Sequence, residues 1–347
     1  MSNTSSPQNP TPLAEAPAGG RGCYLLTGCA GFIAAEVARQ LLAAGHHVVG
    51  VDNLNDYYDV RLKQHRLQQL RQSEAPGKLT WVHGDIEDLP LMEKLFDEHR
   101  FDGVLNLAAR AGVRYSLVNP HVYLSTNAMG SLNLLEQMRR RGVTKYVLAS
   151  TSSLYAGQPM PFVETLPVNE PISPYAASKK AAEAMAFSYH HLFDIDVSVC
   201  RYFTVYGPAG RPDMCVFRFI KWIDEGTPIE LFGDGEQSRD FTFVTDIAAG
   251  TIAALRPVGY EIINLGGGGT PVSLNELIGK LEGLLGKRAD VERKPFHKAD
   301  LKITSADINK ASRLLDWQPQ VGLDEGLDAS VRWYRDHSPW STELTLP

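Results

Sequence analysis

Several features that would give this chain a different kind of function are missing from its sequence. No stretch approaches the roughly 20 consecutive apolar residues that a membrane-crossing helix requires, so nothing anchors the chain in a bilayer. Positive charge is not in excess: 34 Lys and Arg face 40 Asp and Glu, for a net charge of -6. Nucleic acid is therefore excluded as the main partner, because binding a phosphate backbone takes a concentrated cationic face. There are only four cysteines, Cys23, Cys29, Cys200 and Cys215. None forms a CxxC pair and no Cys/His cluster has zinc-ligand spacing, so no metal is expected and the thiols read as packing residues. Residues 1–20 lack the positive start and apolar run of a secretory signal and are rich in Pro, Ser, Gly and Asn. They read as a disordered tail, and the protein as cytoplasmic.

What is present is the composition of a globular enzyme: 347 residues, 44% hydrophobic and 21% charged. Apolar runs at residues 23–27, 47–51, 79–82, 103–107, 145–149, 197–200 and 261–265 read as strands. Several are separated by helical patterns, such as the alanine-rich residues 34–44, long enough to cross over between parallel strands. The layout predicts an α/β fold with a doubly wound parallel sheet of Rossmann type. From about Val205 the rhythm changes to loops and short segments, then returns to strand and helix near residues 241–255. This divides the chain into two units: residues 21–203, with 241–267 returning to it, and a smaller, discontinuous α/β unit of 204–240 and 268–342. The second is placed to cap a ligand held at the carboxyl ends of the strands.

Between the first strand and the first helix lies Thr27-Gly28-Cys29-Ala30-Gly31-Phe32-Ile33-Ala34. Glycine at 28 and 31 permits a tight turn and close backbone approach to a pyrophosphate, and Ala34 lets helix and strand pack closely. Asp52 ends the second apolar run where an acid can bind the adenosine ribose hydroxyls, and its charge repels a 2′-phosphate, which favours NAD over NADP. Gly28, Ala30, Gly31, Phe32, Ile33, Asp52 and Asn53 are accordingly candidate cofactor residues, with Asp85 and Ile86 bordering the adenine.

A second constellation begins at Ser173-Pro174-Tyr175-Ala176-Ala177-Ser178-Lys179. Ser173 is a plausible N-cap with Pro174 in the first turn, which puts Tyr175 and Lys179 on one helix face. A phenol with an ordinary pKa near 10 is a poor base, and a nearby ammonium together with an oxidised nicotinamide favours its phenolate. Tyr175 would then accept a proton. Upstream, the strand at residues 145–149 runs into Ser150-Thr151-Ser152-Ser153, displaying hydroxyls at the carboxyl end of the sheet.

Glycine turn, strand-end hydroxyls and Tyr-x-x-x-Lys together resemble the extended short-chain dehydrogenase/reductase family, over about residues 22–340. Segments similar to those of its nucleotide-sugar members are Asn106-Leu107-Ala108-Ala109, the run from Asn127 to Leu135, Arg201-Tyr202-Phe203, Tyr206-Gly207-Pro208 and Arg239-Asp240-Phe241-Thr242. The resemblance implies that Leu107, Ala108, Ala109, Lys179 and Tyr202 also contact NAD and that Thr151, Tyr175 and Lys179 are catalytic. It further implies that Arg239 binds the diphosphate of a UDP-sugar, and that a homodimer forms through helices at about residues 128–140 and 175–193. Ala34 in place of a third glycine, and His297-Lys298-Ala299-Asp300 where related chains often carry Gly-Asp, depart from the usual pattern.

These enzymes share hydride transfer from sugar C4 to NAD, giving a 4-keto sugar, and differ in the fate of that ketone. Ser152 and Ser153 stand where the dehydratases carry Asp-Glu and the decarboxylases carry Glu at 153, so the carboxyl groups those reactions use are absent. Epimerisation needs neither. The stretches 52–59, 111–116, 203–206 and 210–214 are most similar to the branch that epimerises UDP-glucuronate at C4. The extra carboxylate of that substrate suits a guanidinium paired with a hydroxyl, and Arg211 and Thr204 are the candidates. Arg211 could instead simply pair with Asp213. Arg114, Ser152, Ser153, Val216 and Phe217 complete the expected substrate contacts. Alternatives are a 4-epimerase of UDP-glucose or UDP-N-acetylhexosamine and, third, a UDP-glucuronate decarboxylase.

Overall fold

The computed structural model describes residues 20–296, 301–338 and 340–346. The expected tail, apart from Gly20, and the segment 297–300 lie outside them. Seven parallel strands, β1 (Cys23–Thr27), β2 (His47–Asp52), β3 (Lys78–His83), β4 (Gly103–Asn106), β5 (Lys145–Thr151), β6 (Asp196–Tyr202) and β7 (Tyr260–Leu265), form one sheet in the order β7-β6-β5-β4-β1-β2-β3. This is the expected doubly wound α/β sheet. Its order reverses beside β1, which has β2 on one side and β4 on the other, and there the outgoing loops separate into a crevice.

β5 and β6 run further than their apolar patterns suggest. Ser150 pairs with Arg201 and Thr151 with Tyr202, so the ladder continues through polar residues. It can do so because buried Glu183 accepts from Ser150 Oγ at 2.6 Å and from Arg201 Nε at 2.9 Å and Nη2 at 2.7 Å. A buried network whose charges are paired costs far less than isolated buried polar groups, and periodicity alone does not register it.

One face of the sheet is covered by the helix Phe32–Ala43, which buries Ala34, Val37, Ala38 and Leu41 and packs along the helix Val244–Ala253. Alanines at these positions allow the close approach. The other face carries the helices Gly130–Arg141 and Pro174–Phe193, the first entered through a π-helical turn, Leu124–Met129. Beyond the carboxyl ends of the strands are three short pairs: Thr204–Tyr206 with Phe241–Phe243, Ile229–Phe232 with Val291–Lys294, and Ser238–Arg239 with Val272–Ser273. A separate apolar cluster there includes Phe217, Ile220, Leu277, Leu281, Leu327 and Tyr334. A cavity of about 990 Å³ lies between it and the sheet, at the top of the size range usual for ligand sites. No helix among the described residues is long and apolar enough to cross a membrane.

Candidate active site

The crevice end of the cavity is built around Gly28. Its φ is +70°, and a Cβ there would lie 2.9 Å from the Cα and N of Ala108. At Gly31 a Cβ would lie 2.8 Å from the carbonyl oxygen of Gly28, which accepts the Gly31 N–H at 2.7 Å. Both glycines are therefore demanded by contact. Gly31 caps the helix Phe32–Ala43 with no side-chain hydrogen bond, so the first-turn N–H groups are left to an anion. A buried polar chain fixes the opposite wall: Thr27 Oγ1 accepts from Ala108 N at 3.0 Å and donates to Asn106 Oδ1 at 2.7 Å, while Asn106 Nδ2 reaches Ser131 Oγ and Tyr146 Oη.

Asp52 stands at the end of β2, with one carboxylate oxygen 3.1 Å from Ala30 N and the other 2.8 Å from Leu54 N. Each oxygen keeps a lone pair for a ribose hydroxyl. Asn53 Nδ2 donates to Asp85 Oδ2 at 2.6 Å, joining the ends of β2 and β3. The cavity is lined here by Gly28, Gly31, Phe32, Ile33, Asp52, Asn53, Asp85, Ile86, Leu107, Ala108 and Ala109, and deeper in by Tyr202, whose hydroxyl is bonded to Thr251. Ala30 does not line it: fully buried, it contributes only its backbone, holding Asp52 and accepting from Arg66. A glycine cradle, an uncapped helix start and a buried strand-end carboxylate fit a dinucleotide such as NAD.

Farther along, Thr151 at the end of β5 meets Tyr175 in the first turn of the helix Pro174–Phe193, which Ser173 caps by accepting from Ala176 N. Burial raises the Tyr175 phenol above its ordinary pKa, while a hydrogen bond from Thr151 and the charge of Arg211 pull it back down. Lys179 lies on the same helix one turn beyond Tyr175. Its Nζ donates to the Ala149 carbonyl at 3.0 Å, and its pKa is pushed down to about 8 by burial against the opposing charge of Glu183. Tyr175, Lys179, Thr151, Ser152 and Ser153 all line the cavity.

The far end is cationic. Arg114, Arg211 and Arg239 line it as expected, together with Thr204. Arg211 grips Asp213 side-on, Nε to Oδ1 at 3.0 Å and Nη2 to Oδ2, so the pairing that the sequence left open is the one formed. Val216 and Phe217 are misplaced by the sequence reading. On the helix Cys215–Glu225 the residues facing the cavity are Cys215, Arg218, Phe219 and Trp222, while Val216 and Phe217 turn into the apolar cluster. Sequence reasoning missed Arg218, whose guanidinium lies 4.4 Å from the Trp222 ring centroid and whose buried Nε has no partner among the described residues. Helical phase, with polar or large residues at 215, 218, 219 and 222, could have found it.

With this geometry in view, comparison with known proteins gives a consistent answer. The sequence profile of the NAD dependent epimerase/dehydratase family matches residues 24–266. The chain belongs to that family. A protein of Thermodesulfobacterium geofontis named UDP-glucuronate 4-epimerase is 56% identical over 316 residues, covering 91% of this chain and 97% of that protein. The crystal structure of UDP-glucuronic acid 4-epimerase from Bacillus cereus in complex with UDP-glucuronic acid and NAD aligns with a TM-score of 0.85 at 36% identity, over 90% of this chain and 99% of that one. UDP-glucose 4-epimerase from Thermotoga maritima, with UDP-glucose, aligns with a TM-score of 0.80 at 32% identity, over 90% and 99%. Within this epimerase/dehydratase, Gly112 is a further residue that local patterns did not signal. It has φ +105°, and a Cβ there would lie 2.3 Å from the hydroxyl of Tyr57. Glycine at 112 thus lets Tyr57, from the loop after β2, reach the cavity wall.

Proposed function

We propose that the chain interconverts UDP-glucuronate and UDP-galacturonate by inverting C4 of the sugar, as an NAD-dependent isomerase. The observation that carries this reading is a single cavity lined by Thr151, Tyr175, Thr204 and Arg211, in which the Thr151 hydroxyl and the Arg211 charge both lower the pKa of the Tyr175 phenol. A proton carrier and a receptor for a C6 carboxylate therefore serve one sugar ring. The likeness to the proteins of Thermodesulfobacterium and Bacillus supports the same substrate.

Tyr175 takes the proton from the C4 hydroxyl and later returns it, and Thr151 shares the hydrogen bonding at that oxygen. Lys179, anchored on the Ala149 carbonyl, holds the cofactor ribose beside them. NAD, when bound, supplies a transient acceptor for the C4 hydride. Arg211 and Thr204 hold the C6 carboxylate, and a fixed carboxylate resists departing as carbon dioxide. Arg239, Arg114 and Arg218 serve the diphosphate. After Thr151 the chain turns through Ser152 and Ser153, which offer no carboxyl group for elimination or decarboxylation.

One observation favours a rival. The Arg211–Asp213 pair makes the carboxylate receptor neutral overall, which would suit UDP-glucose or a UDP-N-acetylhexosamine. Separate incubations with UDP-glucuronate and with UDP-glucose, each followed by chromatography of the products, distinguish the readings. UDP-galacturonate without release of carbon dioxide is expected; a UDP-pentose with carbon dioxide would mean decarboxylation, and conversion of UDP-glucose alone would favour the rival.

We further assign residues 204–240 and 268–342 to sugar binding and residues 21–203 and 241–267 to NAD. Four unpaired thiols suit the cytoplasm. Leu124, Met129, Phe187, Leu192 and Phe193 are exposed on neighbouring helices, a face suited to pairing two copies of the chain. Sedimentation at micromolar concentration should give a dimer mass, and a monomer would remove this part of the reading.

A further inference from the structure

Arg211 is committed before any sugar arrives. Its Nε and Nη2, the side-on pair best matched to a carboxylate, are both taken by Asp213, two residues along the same loop. Among the described residues its Nη1 makes no hydrogen bond. A second group waits on Asp213: the Tyr57 hydroxyl lies 3.5 Å from Oδ2, at the long limit of a hydrogen bond, and the Arg211 guanidinium carbon is 5.9 Å from the Tyr57 ring centroid. Tyr57 is kept in place by the space at Gly112, and burial beside Asp213 pushes its phenol up to about 12, so it remains a donor at any working pH.

We infer that Asp213 is an exchangeable internal counter-ion, standing in for the sugar carboxylate on Arg211 in the free enzyme and passing to the Tyr57 hydroxyl when that carboxylate binds. The inference rests on UDP-glucuronate being the substrate. Nη1 gives the incoming carboxylate a first hold, and it then takes over Nε and Nη2. The displaced Asp213 is not left without a donor, because Tyr57 is already beside it. A sugar with a neutral C6 hydroxyl cannot replace a carboxylate on a guanidinium, so it binds with the Arg211–Asp213 pair intact. The exchange thereby sets how strongly the pocket prefers an acidic sugar. A preference built on Arg211 alone would be greater but would leave a partly buried guanidinium without a counter-charge in the free enzyme, a costly state.

The test uses the NAD-loaded enzyme and two probes, UDP-glucuronate as substrate and UDP-glucose as competitor. With its competing carboxylate removed in Asp213→Asn, the KM for UDP-glucuronate should fall by about three- to tenfold, the scale of one ordinary net hydrogen bond. The ratio of the UDP-glucose Ki to that KM should rise to match. In Tyr57→Phe the displaced Asp213 has no donor, so the KM for UDP-glucuronate should rise several-fold while the Ki of UDP-glucose changes less. A higher KM for UDP-glucuronate in Asp213→Asn would overturn the inference, because Asp213 would then only aim Arg211; equal shifts for both ligands would overturn it too. If Asp213→Asn does not fold, Tyr57→Phe decides alone, since an unchanged KM there contradicts the exchange. Failure of the wild-type enzyme to convert UDP-glucuronate would instead remove the functional reading on which the inference rests.

Discussion

Gly28 and Gly142 have nearly the same backbone conformation, φ +70° and +71°, and differ in what surrounds them. A Cβ at Gly142 meets nothing within 4 Å, whereas one at Gly28 would lie 2.9 Å from two backbone atoms of Ala108 and 3.1 Å from the carbonyl carbon of Leu107. Gly142→Ala therefore costs only the left-handed conformation, about 1–2 kcal/mol. Gly28→Ala carries that cost as well. Non-bonded carbons pack best at about 3.5–4.0 Å, so the loop after β4 must also retreat by roughly 0.6–1.1 Å. That movement strains the Ala108 N to Thr27 Oγ1 bond and the packing around it, adding about 2–4 kcal/mol. The crevice it deforms is also the proposed dinucleotide site. Urea denaturation should thus place Gly28→Ala roughly 2–4 kcal/mol below Gly142→Ala, and the cofactor released from denatured protein should be depleted only in Gly28→Ala. If the two variants were equally stable and equally loaded, the close-approach argument for the glycine turn would be wrong.

Replacing Thr151 with Val removes the hydroxyl that lowers the Tyr175 pKa. With the phenolate as the active base, the acidic limb of the kcat/KM profile should then move to higher pH and kcat should fall by about tenfold, the scale of one hydrogen bond; an unmoved profile would dissociate Thr151 from the phenol. Glu183→Gln leaves the buried Arg201 charge without its partner, both side chains being only 1% exposed, and should cost about 3–5 kcal/mol. Thermal denaturation should show a midpoint several degrees lower, and an unchanged midpoint would show that the pair contributes nothing. The same substitution removes the charge that lifts the Lys179 pKa, so Lys179 should lose its proton at lower pH, measurable as the pH at which bound NAD begins to dissociate.

The parts of the site that could be read in the sequence are those whose geometry is local. Gly28, Gly31 and Asp52 lie within one strand-turn-helix-strand unit, and Tyr175 and Lys179 are one helical turn apart, so spacing alone brings each group together. Arg218 and Tyr57 reach the cavity from separate regions of the chain, and only the tertiary fold places them beside Arg211 and Arg114. Val216 and Phe217 turn away from the cavity because the phase of the helix Cys215–Glu225 directs residues 215, 218, 219 and 222 into it. The ends of β5 and β6 were cut short because Ser150, Thr151 and Arg201 break the apolar pattern, and Glu183, which satisfies two of them, is some thirty residues from the serine in sequence. The position of Lys179 was legible but its anchor on the Ala149 carbonyl was not, since proximity along a helix does not say which acceptor an ammonium chooses.

The proposed epimerisation requires Tyr175 to carry the C4 hydroxyl proton, and Tyr175→Phe tests that directly. The substitution deletes one oxygen from a half-buried ring that packs edge-on against Tyr123, so folding and bound NAD should be preserved. Turnover of UDP-glucuronate at saturation should fall by about 10²–10⁴-fold, the usual contribution of a positioned acid-base group, with little change in KM. A folded, NAD-replete Tyr175→Phe enzyme that still formed UDP-galacturonate within tenfold of the wild-type rate would contradict it.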